Sequence, residues 1–151
     1  MPARRALLLA LLPALARAET LDVPALMAQL AAVPERRATF REEKRIGALT
    51  APLLSSGTLS YRRPGHLEKL TVGDDAPRVV PLSVDPGLRA AIDAFRAPLA
   101  GDLVALSRSF RVQGSGSMAA WRLDLAPSDP AVAKLLRAVQ VAGEGTAGPA
   151  Q

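Results

Sequence analysis

The chain has 151 residues, enough for one domain of ordinary size and too few for two. It has no cysteine and one histidine, which excludes disulfide frameworks, thiolate zinc sites, cysteine nucleophiles and histidine-rich metal centres. Hydrophobic residues make up 49% in a globular balance; the +5 charge invites an anionic partner, but 3% aromatics are too few for a base-stacking surface, so no nucleic-acid partner is expected.

The charge is explained at the N-terminus. Met1–Arg5 is a short basic region, Ala6–Leu15 an apolar run, and Ala16-Arg17-Ala18 an A-x-A cleavage site, the three parts of a secretory signal peptide. The apolar run is about half the length of a membrane span. Cleavage after Ala18 leaves 133 of the 151 residues and takes Arg4, Arg5 and Arg17 with it, so 16 basic residues face 14 acidic ones and the mature charge is +2. The reading is 1–18 signal peptide, 19–143 folded domain and 144–151 tail, with the mature protein in a bacterial periplasm.

Leu21–Val33 reads as an amphipathic helix, with Leu26, Leu30 and Val33 at helical spacing, Asp22 as N-cap and Pro24 in the first turn. Ala38–Arg45 then alternates with polar residues on most of both faces. Such a strand belongs at a sheet edge or carries only one or two apolar anchors, of which Phe40 is the obvious one. After a loop over 48–56, Gly57–Arg62 places Leu59 and Tyr61 on one face, Arg63-Pro64-Gly65-His66 turns, and Leu67–Val72 returns. Arg78–Val84 is a short strand interrupted by Pro81, a residue that suits an edge.

Asp85-Pro86-Gly87 opens a second helical region reaching Ser107. Leu88, Ile92, Phe95, Leu99, Leu103 and Leu106 recur there at spacings of three or four, broken around Pro98 and Gly101, so two short helices joined by a hinge are expected. Phe110–Gln113 and Ala119–Leu125 form a hairpin across Gly114–Ser117, with Trp121, Leu123 and Leu125 on one face. Pro127–Ala138 reads as a helical turn or two, Val139–Ala142 as a last short strand, and Gly143–Gln151 as a fraying tail. An antiparallel sheet with helices beside it is an α+β fold.

Catalysis finds little support. His66 sits in a turn, the serines at 55, 56, 115 and 117 lie in expected loops, and no G-x-S-x-G elbow is present. Gly114-Ser115-Gly116 lacks the lysine of a phosphate loop. Asp74 and Asp75 are adjacent in sequence, and Glu42 and Glu43 point to opposite faces of a strand, so neither pair makes an acid–base couple or a metal cage. No catalytic residue, metal or cofactor is assigned. What stands out is the apolar Leu88–Leu106 region. It is either a helix pair over a filled core or a lid over a concave sheet, with room for an acyl chain between them.

The order of motifs carries a resemblance. Phe40 and Glu43-Lys44, Ala51-Pro52-Leu53, Ser56-Gly57-Thr58-Leu59-Ser60-Tyr61, Arg63-Pro64 and Leu67-Glu68-Lys69 come first. Leu99-Ala100-Gly101-Asp102-Leu103, Phe110, Trp121-Arg122-Leu123 and Pro127-Ser128-Asp129 follow. Together they resemble the LolA-like outer-membrane lipoprotein carriers, and a divergent LolA-related branch more than the main carriers, over about Leu21–Gly143.

The resemblance implies a half-open antiparallel β-barrel, a curved sheet with a helical lid over its apolar concave face. It implies a carrier that takes acyl chains of a lipoprotein or other lipid from an inner-membrane release complex to an outer-membrane acceptor, without chemical change and as a monomer. By this analogy Phe40, Leu59, Tyr61 and Leu67 line the sheet side, with Trp121 and Leu123 as additions. Leu88, Ile92, Phe95, Leu99, Leu103 and Leu106 form the lid. Arg63 matches an arginine that hydrogen-bonds lid carbonyls in the closed state; otherwise it is a solvated turn residue. Compared with the family pattern the chain is short between Leu70 and Asp85 and after Val141, which predicts a shallower groove. The competing reading is an accessory module of the same fold with a filled core.

Overall fold

Helical spacing puts Leu26, Met27 and Leu30 on one face, and helix α1 (Val23–Ala31) buries that face. Asp22 caps it by accepting from the Ala25 amide at 3.1 Å, and Pro24 sits in the first turn, where a missing N–H costs nothing. The structure is a computed structural model and describes residues 21–45, 47, 49–80 and 85–145. The leader over 1–18 and the residues after Gly145 lie outside these, as do 81–84, the second half of the strand expected to contain Pro81.

Strands β1 (Glu35–Lys44), β2 (Leu53–Arg62), β3 (His66–Thr71) and β4 (Arg78–Val79) form an up-and-down meander. Helices α2 (Pro86–Ala100) and α3 (Leu103–Ser109) lead into a second meander of β5 (Phe110–Gly116), β6 (Ala120–Pro127), short α4 (Pro130–Ala133) and β7 (Leu136–Glu144). β7 pairs with β1, which joins the meanders into one antiparallel sheet of order β4-β3-β2-β1-β7-β6-β5. β4 and β5 remain edges, so the curved sheet is unclosed. The fold is the α+β half-barrel with helices on one face that the sequence led us to expect.

Four local expectations are corrected. β1 is the central strand, which decides between its two readings for the one with few apolar anchors, and it starts at Glu35, three residues earlier than its alternation suggested. A polar strand survives there because Ala38 and Phe40 anchor its buried side while Arg36 and Glu42, buried beside them, have polar partners. β2 starts at Leu53 and absorbs the second half of the expected loop, since β1 offers it partners as far as Lys44. Helix α2 runs through Pro98 and ends at Gly101, whose left-handed backbone (φ 71°, ψ 25°) is what stops it. Proline removes one N–H and bends a helix, but this close to the C-terminus it does not end it.

The last correction concerns 127–144. The helix expected to reach Ala138 is only α4, capped by Asp129, and the final strand spans nine residues. Leu136, Val139 and Val141 are buried on it. Pairing with β1 and β6 on both sides outweighs the helical propensity of this alanine- and leucine-rich stretch. The hairpin before it turns at Ser117, Met118 and Ala119, with Gly114 and Gly116 inside β5.

Gly101 also fixes how the helices meet. A Cβ there would overlap the Ala31 amide and the Met27 carbonyl of α1, and its positive φ disfavours any other residue. Gly101→Ala is expected to lower stability by about 2 kcal/mol or more, since strain and overpacking act together. Urea denaturation of the two proteins measures it.

Candidate functional site

Period-two alternation selects the side chains that face the helices. On β1 these are Arg36, Ala38, Phe40 and Glu42, on β2 Leu59 and Tyr61, on β3 Leu67 and Lys69, and on β6 Trp121, Leu123 and Leu125. The opposing helices contribute Ala91, Ala94, Phe95 and Leu99 from α2 and Leu106 from α3. Full burial of one leucine-sized side chain is worth roughly 1.5–3 kcal/mol, so this interface is a principal source of stability.

Of the lining residues named from the sequence, Phe40, Leu59, Tyr61, Leu67, Phe95, Leu99, Leu106, Trp121 and Leu123 belong to one buried cluster. Phe40 and Phe95 meet edge-to-face with centroids 5.6 Å apart, joining β1 to α2 directly. Leu103 packs against the cluster half-buried, and Ile92 is half-buried. Leu88 is not brought in. It shares the stripe of Ala91 and Phe95 but lies one turn before the covered part of α2 begins, and is 46% exposed.

Arg63 reaches both helix ends. Its Nε donates to the Val33 carbonyl at 3.3 Å, and its Nη2 donates to the carbonyls of Ala31 and of Ala100, the latter at 3.0 Å. Ala31 and Ala100 are the last residues of α1 and α2. Helix C-terminal carbonyls lack intrahelical donors and carry the negative end of the dipole, so a guanidinium is well matched to them. One exposed side chain thus ties two helices to the β2–β3 turn.

Sequence reasoning missed a polar cluster on the helix-facing side. Lys69 Nζ lies 2.6 Å from Glu42 Oε1, Ser55 Oγ donates to the same oxygen at 2.8 Å, and Lys44 Nζ is 3.4 Å away. The Lys69 ammonium also stands 4.7 Å from the Phe40 centroid and 4.3 Å from that of Phe95. Burial holds the Lys69 pKa below its ordinary value, opposed by Glu42. Alternation assigned Glu42 to the face of Phe40 and Lys69 to that of Leu67. Their meeting required the register across three strands. At the other end of β1, Arg36 and the Trp121 indole both donate to the Gly145 carbonyl at 2.9 Å.

Catalytic geometry does not assemble. His66 Nε2 lies 3.8 Å from Glu68 Oε2, and among the described residues no serine hydroxyl bonds to the ring. No group of three or more metal-ligating side chains occurs among them either. Two open grooves, of about 780 and 1010 Å³, lie on the sheet face turned away from the helices. The smaller has a mixed lining, with Arg41, Glu43, Arg111 and Asp124 beside Leu54 and Ala138.

An unclosed sheet, helices over its apolar face and an arginine tying the ends of α1 and α2 together define the architecture. Residues 70–147 match the sequence profile of the family described as outer membrane lipoprotein carrier protein LolA-like. The chain belongs to this family. No curated protein matches it significantly. The matched stretch begins late in β3 and takes in both helices over the sheet and the whole second meander, so in this LolA-like protein Phe40, Leu59, Tyr61, Arg63 and Leu67 lie upstream of it. The family is one of carriers and not of enzymes. No helix among the described residues is long and apolar enough to cross a membrane.

If Arg63 holds the two helices, Arg63→Ala should lower stability only modestly, by about 1 kcal/mol for solvent-exposed hydrogen bonds. Its larger effect should be on local opening. Amide hydrogen exchange is expected to speed up at the C-terminal turns of α1 and α2 and to stay unchanged in β6 and β7.

Proposed function

We propose that this LolA-like chain is a periplasmic carrier that binds acyl chains of a lipoprotein or other lipid between its sheet and α2–α3. In this reading it acts as a monomer, accepts cargo from an inner-membrane release complex and yields it to an outer-membrane acceptor. The 1–18 leader, removed after Ala18, sends it to that compartment. The observation that carries the reading is the Arg63 tether, a small set of polar bonds closing an otherwise apolar interface. Such an interface opens when those bonds are exchanged and closes again once the cargo has left.

Phe40, Leu59, Tyr61 and Leu67, with Trp121 and Leu123, serve as the wall, and Phe95, Leu99, Leu103 and Leu106 as the lid. Each buried CH₂ of an acyl chain contributes about 0.8 kcal/mol, so a partly buried chain binds well and leaves only toward a competing apolar acceptor. In this reading, the wall and lid side chains packed against one another represent the closed form. That same close packing favours the second reading, an accessory module whose core never opens.

Native mass spectrometry of the mature protein from a periplasm, followed by lipid extraction, separates the two. A co-purifying acylated species is expected, and Leu103→Glu, at a half-buried lid position, should abolish it while leaving the protein folded. A clean protein mass that takes up no fluorescent acyl probe would establish the accessory module instead.

A further inference from the structure

One end of the helix-facing side of the sheet is uncovered, and it is not apolar throughout. Leu53 shares the face of Leu59 and Tyr61 by alternation yet is 45% exposed, so the helices do not reach it. Between this rim and the buried cluster stand Glu42, Ser55 and Lys69, with Lys44 at the margin. The side chains grade from solvent inward, with Lys44 44% exposed, Lys69 17% and Glu42 1%.

The charges in this cluster do not balance. Lys44 and Lys69 approach the same carboxylate, so two ammonium groups share one negative charge. Asp74 also attracts Lys69, but it is paired with Arg78 at 3.9 Å. A surplus positive charge therefore sits at the mouth of an apolar interface, with the Lys69 ammonium against one ring of the wall and one ring of the lid. A half-buried cation in this position gains most from an anion brought in with an apolar group, because the anion's partner is already desolvated.

We propose that Lys69 and Lys44 form the head-group end of the cargo site, and that the cargo is an acyl compound bearing an anionic oxygen group, carboxylate or phosphate, beside its chain. The chain passes between Phe40 and Phe95 toward Leu59 and Leu67, and the anion takes up the charge that Glu42 leaves unbalanced. A neutral head group would leave that charge unmatched. This assignment rests on the carrier reading and adds a cargo class to it.

The test compares three fluorescent probes of equal chain length on the mature protein: a fatty acid, a monoacyl phosphate and a fatty alcohol. At least one anionic probe should bind roughly tenfold tighter than the alcohol, the worth of one charge-assisted hydrogen bond. Which of the two does so tells carboxylate from phosphate. In Lys69→Met, and in Lys44→Gln at a half-exposed position that leaves Lys69 paired with Glu42, the ratio of anionic to neutral affinity should fall close to one. If the alcohol binds as tightly as both anions, the head-group assignment is overturned and the carrier reading stands. If no probe binds, the carrier reading fails and this assignment with it.

Discussion

β1 must be paired on both sides while carrying two charges on its buried face, and the rest of the sheet depends on how that is met. Its outer edge bonds β2 and its other edge β7, so the two meanders share one strand. Arg36 is matched by the Gly145 carbonyl just past the end of β7, and Glu42 by Lys69 of β3 with Ser55 of β2. These polar matches exist in one register only. A slip by one residue would expose Phe40 and bury Arg41 with no such partners.

From that register follows a face that water must not reach. Apolar side chains of six strands collect on it, and packing of α2 against β1, β2 and β7 places the helix over its middle. The tie that holds the cover is of a different kind from the packing beneath it. Packing is distributed over many side chains and is strong in sum. The Arg63 bonds are few, exposed and local, so they can be exchanged without dismantling the sheet.

The Glu42–Lys69 pair belongs to both parts of this design. Within the closed protein it satisfies two charges that would each be expensive alone, and the lysine braces a wall ring against a lid ring. At the uncovered end it also gives the interface a polarity, so that one end differs chemically from the other. The grooves on the opposite face of the sheet have no comparable arrangement of apolar wall and cation. In the smaller one Arg122 pairs with Asp124 two residues further along β6, and Glu43 pairs with Arg137 of β7.

Period and punctuation were enough to read much of this from the sequence. Asp22 and Asp85 mark helix starts because a short carboxylate satisfies free amides locally, and alternation put Leu59 with Tyr61, and Trp121 with Leu123, on one face of their strands because strand geometry allows nothing else. The α+β class and the family resemblance came from the order of such elements. What lay beyond the sequence was everything set by contacts distant in the chain. A polar β1 became central because β7 returned beside it, and Leu136–Ala138 became strand rather than helix because β1 was there to pair with it. Leu88, on the right stripe, stayed outside because cover depends on where α2 sits over the sheet. The Arg63 contacts were expected from the family resemblance and not from periodicity, and the meeting of Lys69 with Glu42 was decided last, by strand registers that local periodicity does not encode.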